Sequence, residues 1–173
     1  MTSKLKPMVP AGRAPFPPSA RPSTLPGSRT AHNDIRWAHI CTALAALRAR
    51  RRHAVRIVDA DCACGTLLIE AVRHARALGF TAIEGHGIDG SPAMIGRARA
   101  AAARLHDPAI GLTFEVTDMI EALAGEADVP ADIVLWRGSG ASHDRPDLRE
   151  GLAKAGDLVI DDRDFSRDRA RAA

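Results

Sequence analysis

Apolar positions along the chain follow two patterns, short apolar runs typical of buried strands and longer stretches with helical spacing. The short runs predict five strands, at residues 55–60, 84–88, 112–116, 133–136 and 157–160. The helical spacing predicts four helices between them, at residues 67–78, 92–105, 119–124 and 146–156. A further helix is expected from Thr30 to the arginines before the first strand. Because strands and helices alternate, we predict an α/β fold that is Rossmann-like and doubly wound. Its sheet should be mainly parallel, with about five strands and flanking helices.

Residues that favour helix ends support these boundaries. Gly79 is a natural stop after the helix at residues 67–78. Ser91 and Pro92 suit the cap and the first position of the next helix. Asp118 with Glu121 forms a capping-box-like pair before the helix at residues 119–124. The helix that follows Thr30 has three candidate caps, Thr30, Asn33 and Asp34.

Residues 1–29 differ in composition from the rest of the chain. They hold seven of the 11 prolines and five basic residues, with no acidic one. Such a segment cannot form a core, so we expect a disordered Pro/Arg-rich arm followed by one domain at residues 30–173. The charge of the arm leaves contact with nucleic acid as an open alternative, although a solvated arm is the simpler interpretation. The remaining chain is nearly neutral, with 19 basic residues against 21 acidic ones.

Composition also restricts the cellular setting. Three cysteines are too few for a disulfide framework. No apolar run reaches the roughly 18 residues of a membrane span, and no apolar segment follows the first lysines as in a secretory signal. We therefore expect a cytoplasmic protein without membrane association, and a homo-oligomer is an open alternative. The arginines between residues 48 and 52 either compensate a helix dipole or form a phosphate-binding patch.

Polar and small residues collect where each predicted strand ends. These stretches are residues 59–65, 89–91, 117–119, 137–143 and 161–162. In a doubly wound sheet, ligands bind outside the carboxyl ends of the strands, where the strand order reverses. After the first strand, a turn of small residues leads into a helix, which is a geometry that presents backbone N–H groups to a cofactor. We therefore expect the ligand site at this edge.

The first of these turns reads DADCACG and resembles the first motif of class I S-adenosylmethionine (SAM) methyltransferases, an acid followed by G-x-G-x-G. Four later segments resemble the same family in order and spacing: DGSPAMI from Asp89, Asp118-Met119, DIVLW from Asp132 and AGDLVI from Ala155. The resemblance covers residues 30–162. It implies SAM-dependent methyl transfer to an unidentified small-molecule acceptor.

The resemblance also assigns roles to residues. Asp89 would hold the ribose hydroxyls, since one carboxylate can accept two hydrogen bonds, and Asp118 with Met119 would lie beside the adenine. Helix capping is the simpler alternative for both acids. Asp59 would orient the turn or accept from the cofactor's ammonium group. His143 is the candidate catalytic residue, as a base or a group that orients the acceptor. The cofactor would be lined by Asp59, Asp61, Cys62, Ala63, Gly65, Asp89, Gly90, Ser91, Asp118, Met119 and Trp136.

Two features depart from the family pattern. Asp61 and Ala63 replace the first two glycines of the turn. Ala63 is a modest change if its φ is negative, whereas Asp61 would either assist the binding of positively charged SAM or clash with it. The chain also ends soon after its fifth strand, where the family continues through an antiparallel hairpin, so it is minimal, truncated or completed by a partner. A non-catalytic relative that binds SAM or a partner is therefore the alternative function.

Two other chemistries are weaker interpretations. A nicotinamide-dependent oxidoreductase fits the acid after the second strand, but the first turn lacks the G-x-G-x-x-G spacing. Cys62 and Cys64 with His86 or His143 would supply zinc ligands. A C-x-C pair alone is a weak signal, and small buried thiols in a tight turn are the simpler interpretation. We therefore predict no metal site.

Overall fold

The computed structural model describes residues 28–138 and 145–162. Its helices, α1 to α6, are Ser28–His32, Trp37–Ala49, Thr66–Ala77, Pro92–Ala102, Met119–Glu126 and Pro146–Ala155. Its strands, β1 to β5, are Ala54–Ala60, Ala82–Asp89, Ile110–Val116, Ile133–Trp136 and Val159–Asp161. None of these helices is long and apolar enough to cross a bilayer.

The five strands form one parallel sheet in the order β3-β2-β1-β4-β5. The chain therefore builds outward from β1 to β3 and then returns to add β4 on the other side of β1. In β1, Val58 pairs with His86 of β2 and with Val134 of β4. The predicted Rossmann-like doubly wound fold is confirmed, and its switch point lies at the carboxyl ends of β1 and β4.

Two hydrophobic cores lie on opposite faces of this sheet. Neighbouring strand residues point to opposite faces, so Ile57 packs with Leu44 of α2 and Leu68 of α3, whereas Val58 belongs to the other core. That second core includes Leu148 of α6. Helices consequently cover both faces, and the polar strand ends are left at the edges.

Most of the predicted helix ends are confirmed. Gly79 follows α3 with a φ of 91°, which glycine adopts readily. Ser91 caps α4 by accepting a hydrogen bond from Met94 N at 3.4 Å, and Pro92 is the first residue of that helix. Asp118 caps α5 by accepting from Ile120 N at 2.9 Å. These contacts fix the starts of the two helices that follow β2 and β3.

The beginning of the domain differs from the prediction. The single helix expected from Thr30 is divided into α1 and α2, and the residue that precedes α2, Arg36, makes no side-chain cap. The prediction that Thr30, Asn33 or Asp34 caps this helix is therefore wrong. Asp34 instead accepts hydrogen bonds from the backbone N and the guanidinium of Arg36. A charged partner two residues away competes successfully with the helix N–H groups.

Several predicted boundaries are also shifted by a few residues, and β2 and β3 each begin two residues earlier than predicted, at Ala82 and Ile110. The helix expected to reach residue 105 ends at Ala102 and is followed by a turn. The helix expected to end at residue 124 continues to Glu126. The strand expected from residue 157 begins at Val159, and an isolated bridge between Ala131 and Gly156 precedes it.

Two arginines, one in the last turn of α2 and one after it, make contacts within the fold. Arg48 donates to Leu78 O at 3.1 Å and to Arg52 O, and its guanidinium lies 5.3 Å from the centre of the Phe80 ring. Arg52 pairs with Asp132 at 2.7 Å. These contacts favour a structural role over the phosphate-binding patch for Arg48 and Arg52.

A charged network joins α5 to the sheet. Glu126 is buried and lies 2.7 Å from Nδ1 of His86 through one oxygen and 2.6 Å from Nη1 of Arg56 through the other. His86 also lies 3.5 Å from the exposed carboxylate of Glu115. This network spans β1, β2 and β3. It engages His86, one of the two histidines that the zinc alternative offered as a ligand.

The outer edge of β3 is held by α4. The guanidinium of Arg99 donates to Phe114 O through Nε at 3.1 Å and Nη2 at 2.6 Å. Ala109 O, just before β3, accepts from Ile83 N of β2. Because carbonyls alternate in direction along a strand, the Phe114 carbonyl points away from β2.

Candidate functional site

The turn between β1 and α3 has an unusual backbone. Asp61, Ala63 and Gly65 all have positive φ, at 93°, 48° and 71°. Asp61 N and Cys62 N both donate to Ile88 O at 2.9 Å, which ties the turn to the end of β2. The left-handed conformations recur at the three glycine positions of the family motif. Alanine in place of the second glycine would be a modest change only at a negative φ. The φ of Ala63 is positive, and this conformation disfavours a side chain, so the substitution is not modest here.

Gly65 is required by close packing as well as by φ. A Cβ atom there would lie 2.7 Å from Cε1 of Phe114 and 3.0 Å from Cβ of Ala98. Phe114 lies on β3 and Ala98 on α4, so the turn is pressed against both elements. This contact brings the N-terminus of α3 close to the sheet, as the glycine-turn prediction requires.

Asp89 connects the loops that follow β1 and β2. Its Oδ2 accepts from Ala63 N at 3.0 Å, and its Oδ1 accepts from Ser91 N at 2.7 Å. Both carboxylate oxygens therefore accept hydrogen bonds from backbone N–H groups, which is a structural role that was not predicted from the sequence. Each oxygen has more than one acceptor site, so a ribose role is compatible with these contacts.

Arg36 is a candidate site residue that was not predicted from the sequence. It is 4% exposed, and its Nε and Nη2 donate to the two oxygens of Asp34 at 2.9 Å each. Its remaining nitrogen, Nη1, lies 4.0 Å from Oδ1 of Asp59. Neither of these two atoms has a hydrogen-bond partner among the described residues. No pattern marks Arg36 in the sequence, since it lies in a polar stretch between two helices.

Burial dominates the electrostatics of Asp59. The residue is 1% exposed at the end of β1. Desolvation raises the pKa of Asp59 to about 7, although the nearby positive charge of Arg36 acts in the opposite direction. The pKa of Asp61 is also raised, first by partial desolvation and then by the negative charge of Asp89. Arg137, at the end of β4, adds a second guanidinium and lies 3.3 Å from Asp34.

The other predicted residues are distributed around the same edge. Asp118 and Met119 begin α5, and Gly90 is exposed between β2 and α4. Trp136 ends β4 and is 3% exposed, within the core beneath α5 and α6. His143 lies outside the described residues, so its role is not tested.

The two cysteines of the turn have separate surroundings. Cys62 is buried, and desolvation raises the pKa of its thiol above the usual range. Cys64 Sγ lies 3.2 Å from Oγ1 of Thr66. Within residues 28–138 and 145–162, no three or more His, Cys, Asp or Glu side chains are arranged to hold a metal ion. A protonated buried thiol suits packing better than metal ligation.

Comparison with protein-family models finds no match, and comparison with curated proteins likewise finds none. Solved structures do match. The bifunctional kinase–methyltransferase WbdD has a TM-score of 0.55 and 22% identity, over 75% of this chain and 28% of that one. A SAM-dependent methyltransferase from Agrobacterium tumefaciens has a TM-score of 0.53 and 14% identity, over 73% and 44%. Magnesium protoporphyrin IX methyltransferase from Synechocystis PCC 6803, solved with bound SAM, has a TM-score of 0.48 and 22% identity, over 75% and 61%.

These similarities concern the fold. The chain spans less than two thirds of the length of each of these three proteins. The resemblance to class I SAM-dependent methyltransferases that the sequence motifs indicated is confirmed at the level of the fold. In this chain, the same fold brings Asp59, Asp61, Gly65 and Asp89 to the carboxyl edge of the sheet, with Asp59 at the switch point.

Proposed function

We propose that this chain binds SAM at the carboxyl edge of its sheet and transfers the cofactor's methyl group to a small-molecule acceptor. The observation that carries the proposal is the buried pair of Arg36 Nη1 and Asp59 Oδ1. Both atoms lack hydrogen-bond partners among the described residues, and leaving a buried guanidinium nitrogen or carboxylate oxygen in that state costs free energy. The amino-acid end of SAM offers a carboxylate for Arg36 and an ammonium group for Asp59. The residues therefore fit this end of the cofactor.

The rest of the cofactor has candidate ligands along the same edge. In this proposal, Asp89 and Ser91 hold the ribose, with Gly90 leaving open space beside them. Asp118 and Met119 border the adenine, and Trp136 supports that side from the core. The turn, with Asp61, Cys62, Ala63 and Gly65, contributes backbone groups near the N-terminus of α3.

Positioning would supply most of the catalysis. When bound, SAM supplies an electrophilic methyl group on a positively charged sulfur. Arg36 and Asp59 would anchor the amino-acid end while Asp89 anchors the ribose, which fixes the direction in which the acceptor must approach. A base is needed only if the acceptor carries a proton, and His143 is our proposal for that role. Replacing His143 with Asn should then lower kcat and leave the Kd for SAM unchanged.

Isothermal titration calorimetry of the full chain with SAM tests the proposal. We expect binding by the wild-type chain and an affinity reduced by roughly tenfold or more in Arg36→Met, because a charge-assisted hydrogen bond is lost. Arg52→Met is the matched control, since Arg52 is also ion-paired but precedes β1 at the opposite edge of the sheet. No heat and no thermal shift with millimolar SAM would refute the proposed function.

The alternative function is a non-catalytic relative that binds SAM or a partner. The strained backbone at Asp61 and Ala63 and the engagement of both Asp89 oxygens favour it. Binding of SAM without release of S-adenosylhomocysteine in the presence of any acceptor in a broad panel would support this alternative. A cytoplasmic location is also part of our proposal, and the three free thiols agree with a reducing compartment.

A further inference from the structure

Asp61 lies where charged groups from several elements meet. Its N–H is bound to Ile88 O, so the residue is held between the ends of β1 and β2. Asp89 interacts with its carboxyl group from the end of β2, and Arg137 interacts with it from the end of β4. Arg36 adds a further positive charge from the segment before α2. Asp61 thus lies, exposed, at the carboxyl edge of the sheet, among the charged groups that line the candidate cofactor site.

Negative charge predominates around this turn. The described groups there comprise five carboxylates, Asp34, Asp59, Asp61, Asp89 and Asp162, against two guanidiniums, Arg36 and Arg137. Asp34 already occupies both guanidiniums through close contacts, at 2.9 Å and 3.3 Å. Asp34 balances only one of these two positive charges. Even when Asp59 is protonated, the remaining carboxylates outnumber the remaining guanidinium, so the turn presents a surplus of negative charge to a ligand.

A second feature indicates that the carboxyl edge of the sheet suits a ligand with charged ends. Oδ1 of Asp59 and Nη1 of Arg36 are buried at 4.0 Å from one another without hydrogen bonds in the described part of the chain. Desolvated atoms of this kind require a polar partner. The surplus of negative charge around Asp61 then favours a partner that carries a net positive charge.

We propose that Asp61 is a specificity-determining residue, which makes the site prefer the cationic sulfonium form of the cofactor over its neutral thioether product. This inference rests on the proposed function. In the transfer, a lone pair of the acceptor forms a bond to the methyl carbon while the carbon–sulfur bond breaks. The electron pair of that bond returns to sulfur, which loses its positive charge, and a protonated acceptor releases its proton to a base or to solvent. The substrate form is attracted by Asp61, and the product form lacks that attraction.

This preference has a functional consequence. Loss of the sulfonium charge during turnover removes one favourable interaction, so S-adenosylhomocysteine should dissociate more readily than SAM. A glycine at position 61 would lack this effect. Asp61, which replaces the first glycine of the motif, would therefore discriminate between substrate and product at the cost of backbone strain.

The test measures the Kd of SAM and of S-adenosylhomocysteine by calorimetry for the wild-type chain, Asp61→Asn and Asp61→Gly. Asparagine and glycine both tolerate the left-handed conformation, so both variants should fold. We expect the wild-type chain to bind SAM more tightly, and the ratio of the two Kd values to change by roughly tenfold in both variants. The change should be smaller at high salt. Asp128→Asn is the matched control, because Asp128 is exposed after α5, away from the turn.

The outcomes separate the two proposals. If both ligands bind and their ratio is the same in the wild-type chain and both variants, the role of Asp61 is refuted while SAM binding stands. If only Asp61→Gly binds SAM, Asp61 obstructs the site and the inference fails. If no variant binds either ligand, the proposed function and the inference fail together.

Discussion

Arg36 and Asp59 face one another across 4.0 Å, with Nη1 of one and Oδ1 of the other buried and lacking hydrogen bonds in the described residues. The separation is too long for a direct hydrogen bond. The guanidinium therefore compensates the buried carboxylate only in part, which is consistent with the raised pKa of Asp59.

The first prediction concerns pH and stability. Burial raises the pKa of Asp59 from an ordinary value of 3.8 to about 7, so the folded state holds this proton more tightly than the unfolded state. Below pH 3.8, protonated Asp59 makes its full contribution to the free energy of unfolding. This contribution, at most about 4 kcal/mol, is lost as pH rises through 7. Urea unfolding at several pH values should show wild-type stability falling relative to Asp59→Asn over this range. A constant difference between the two proteins would show that Asp59 does not titrate in this way.

The second prediction concerns the strained turn. Ala63 has a φ of 48°, a left-handed conformation in which a Cβ atom is sterically unfavourable. Its replacement by glycine removes this Cβ and should raise the free energy of unfolding by about 0.5–1 kcal/mol. Thermal unfolding is the measurement. Ala100→Gly, at an exposed position inside α4, is the control and should instead destabilise by about 1 kcal/mol. Equal losses in both variants would contradict the backbone assignment.

The third prediction concerns Gly65 and Phe114. A methyl group at Gly65 would lie 2.7 Å from the Phe114 ring in a conformation that already disfavours side chains. Gly65→Ala should therefore destabilise the protein by about 2–3 kcal/mol. In the background of Phe114→Leu, the same change should cost about 1 kcal/mol less, since the clash is relieved. Additive effects in this double-mutant cycle, measured by denaturant unfolding, would exclude the contact.

The fourth prediction separates buried from exposed charge in the network beneath α5. Glu126 is 6% exposed and contacts His86 and Arg56, so Glu126→Ala should destabilise by about 2–3 kcal/mol at pH 7. Glu115 contacts the same histidine at 3.5 Å, but its side chain is 58% exposed. Glu115→Ala should therefore change stability by less than about 0.5 kcal/mol. Similar losses in denaturant unfolding would refute the distinction.

The sequence predicts the repeating parts of the fold well, because those parts depend on local patterns. Ile57 and Val58 lie in a short apolar run that can only be a buried strand here, and Ser91 and Asp118 are caps whose partners lie within three residues. The five strands were consequently predicted close to their observed positions. The division between α1 and α2 was not predicted, since it depends on the preference of Asp34 for Arg36 over helix N–H groups.

The candidate site was predicted less completely, since its contacts join residues far apart in the chain. The motif correctly indicated that Asp59, Gly65 and Asp89 come to one edge. It did not indicate that Asp89 would hold Ala63 N, because that contact depends on how β1 and β2 pair. Arg36 was missed because burial of an arginine follows from tertiary packing and leaves no sequence pattern.

The contact between Arg99 and Phe114 O also bears on how the molecule behaves at high concentration. An exposed edge strand can template pairing with a strand of another molecule and so initiate aggregation. The outward carbonyl of Phe114 is one of the acceptors that such an incoming strand would need, and the guanidinium already occupies it. Arg99 thereby interrupts the β3 edge near its carboxyl end and protects the fold against edge-to-edge association.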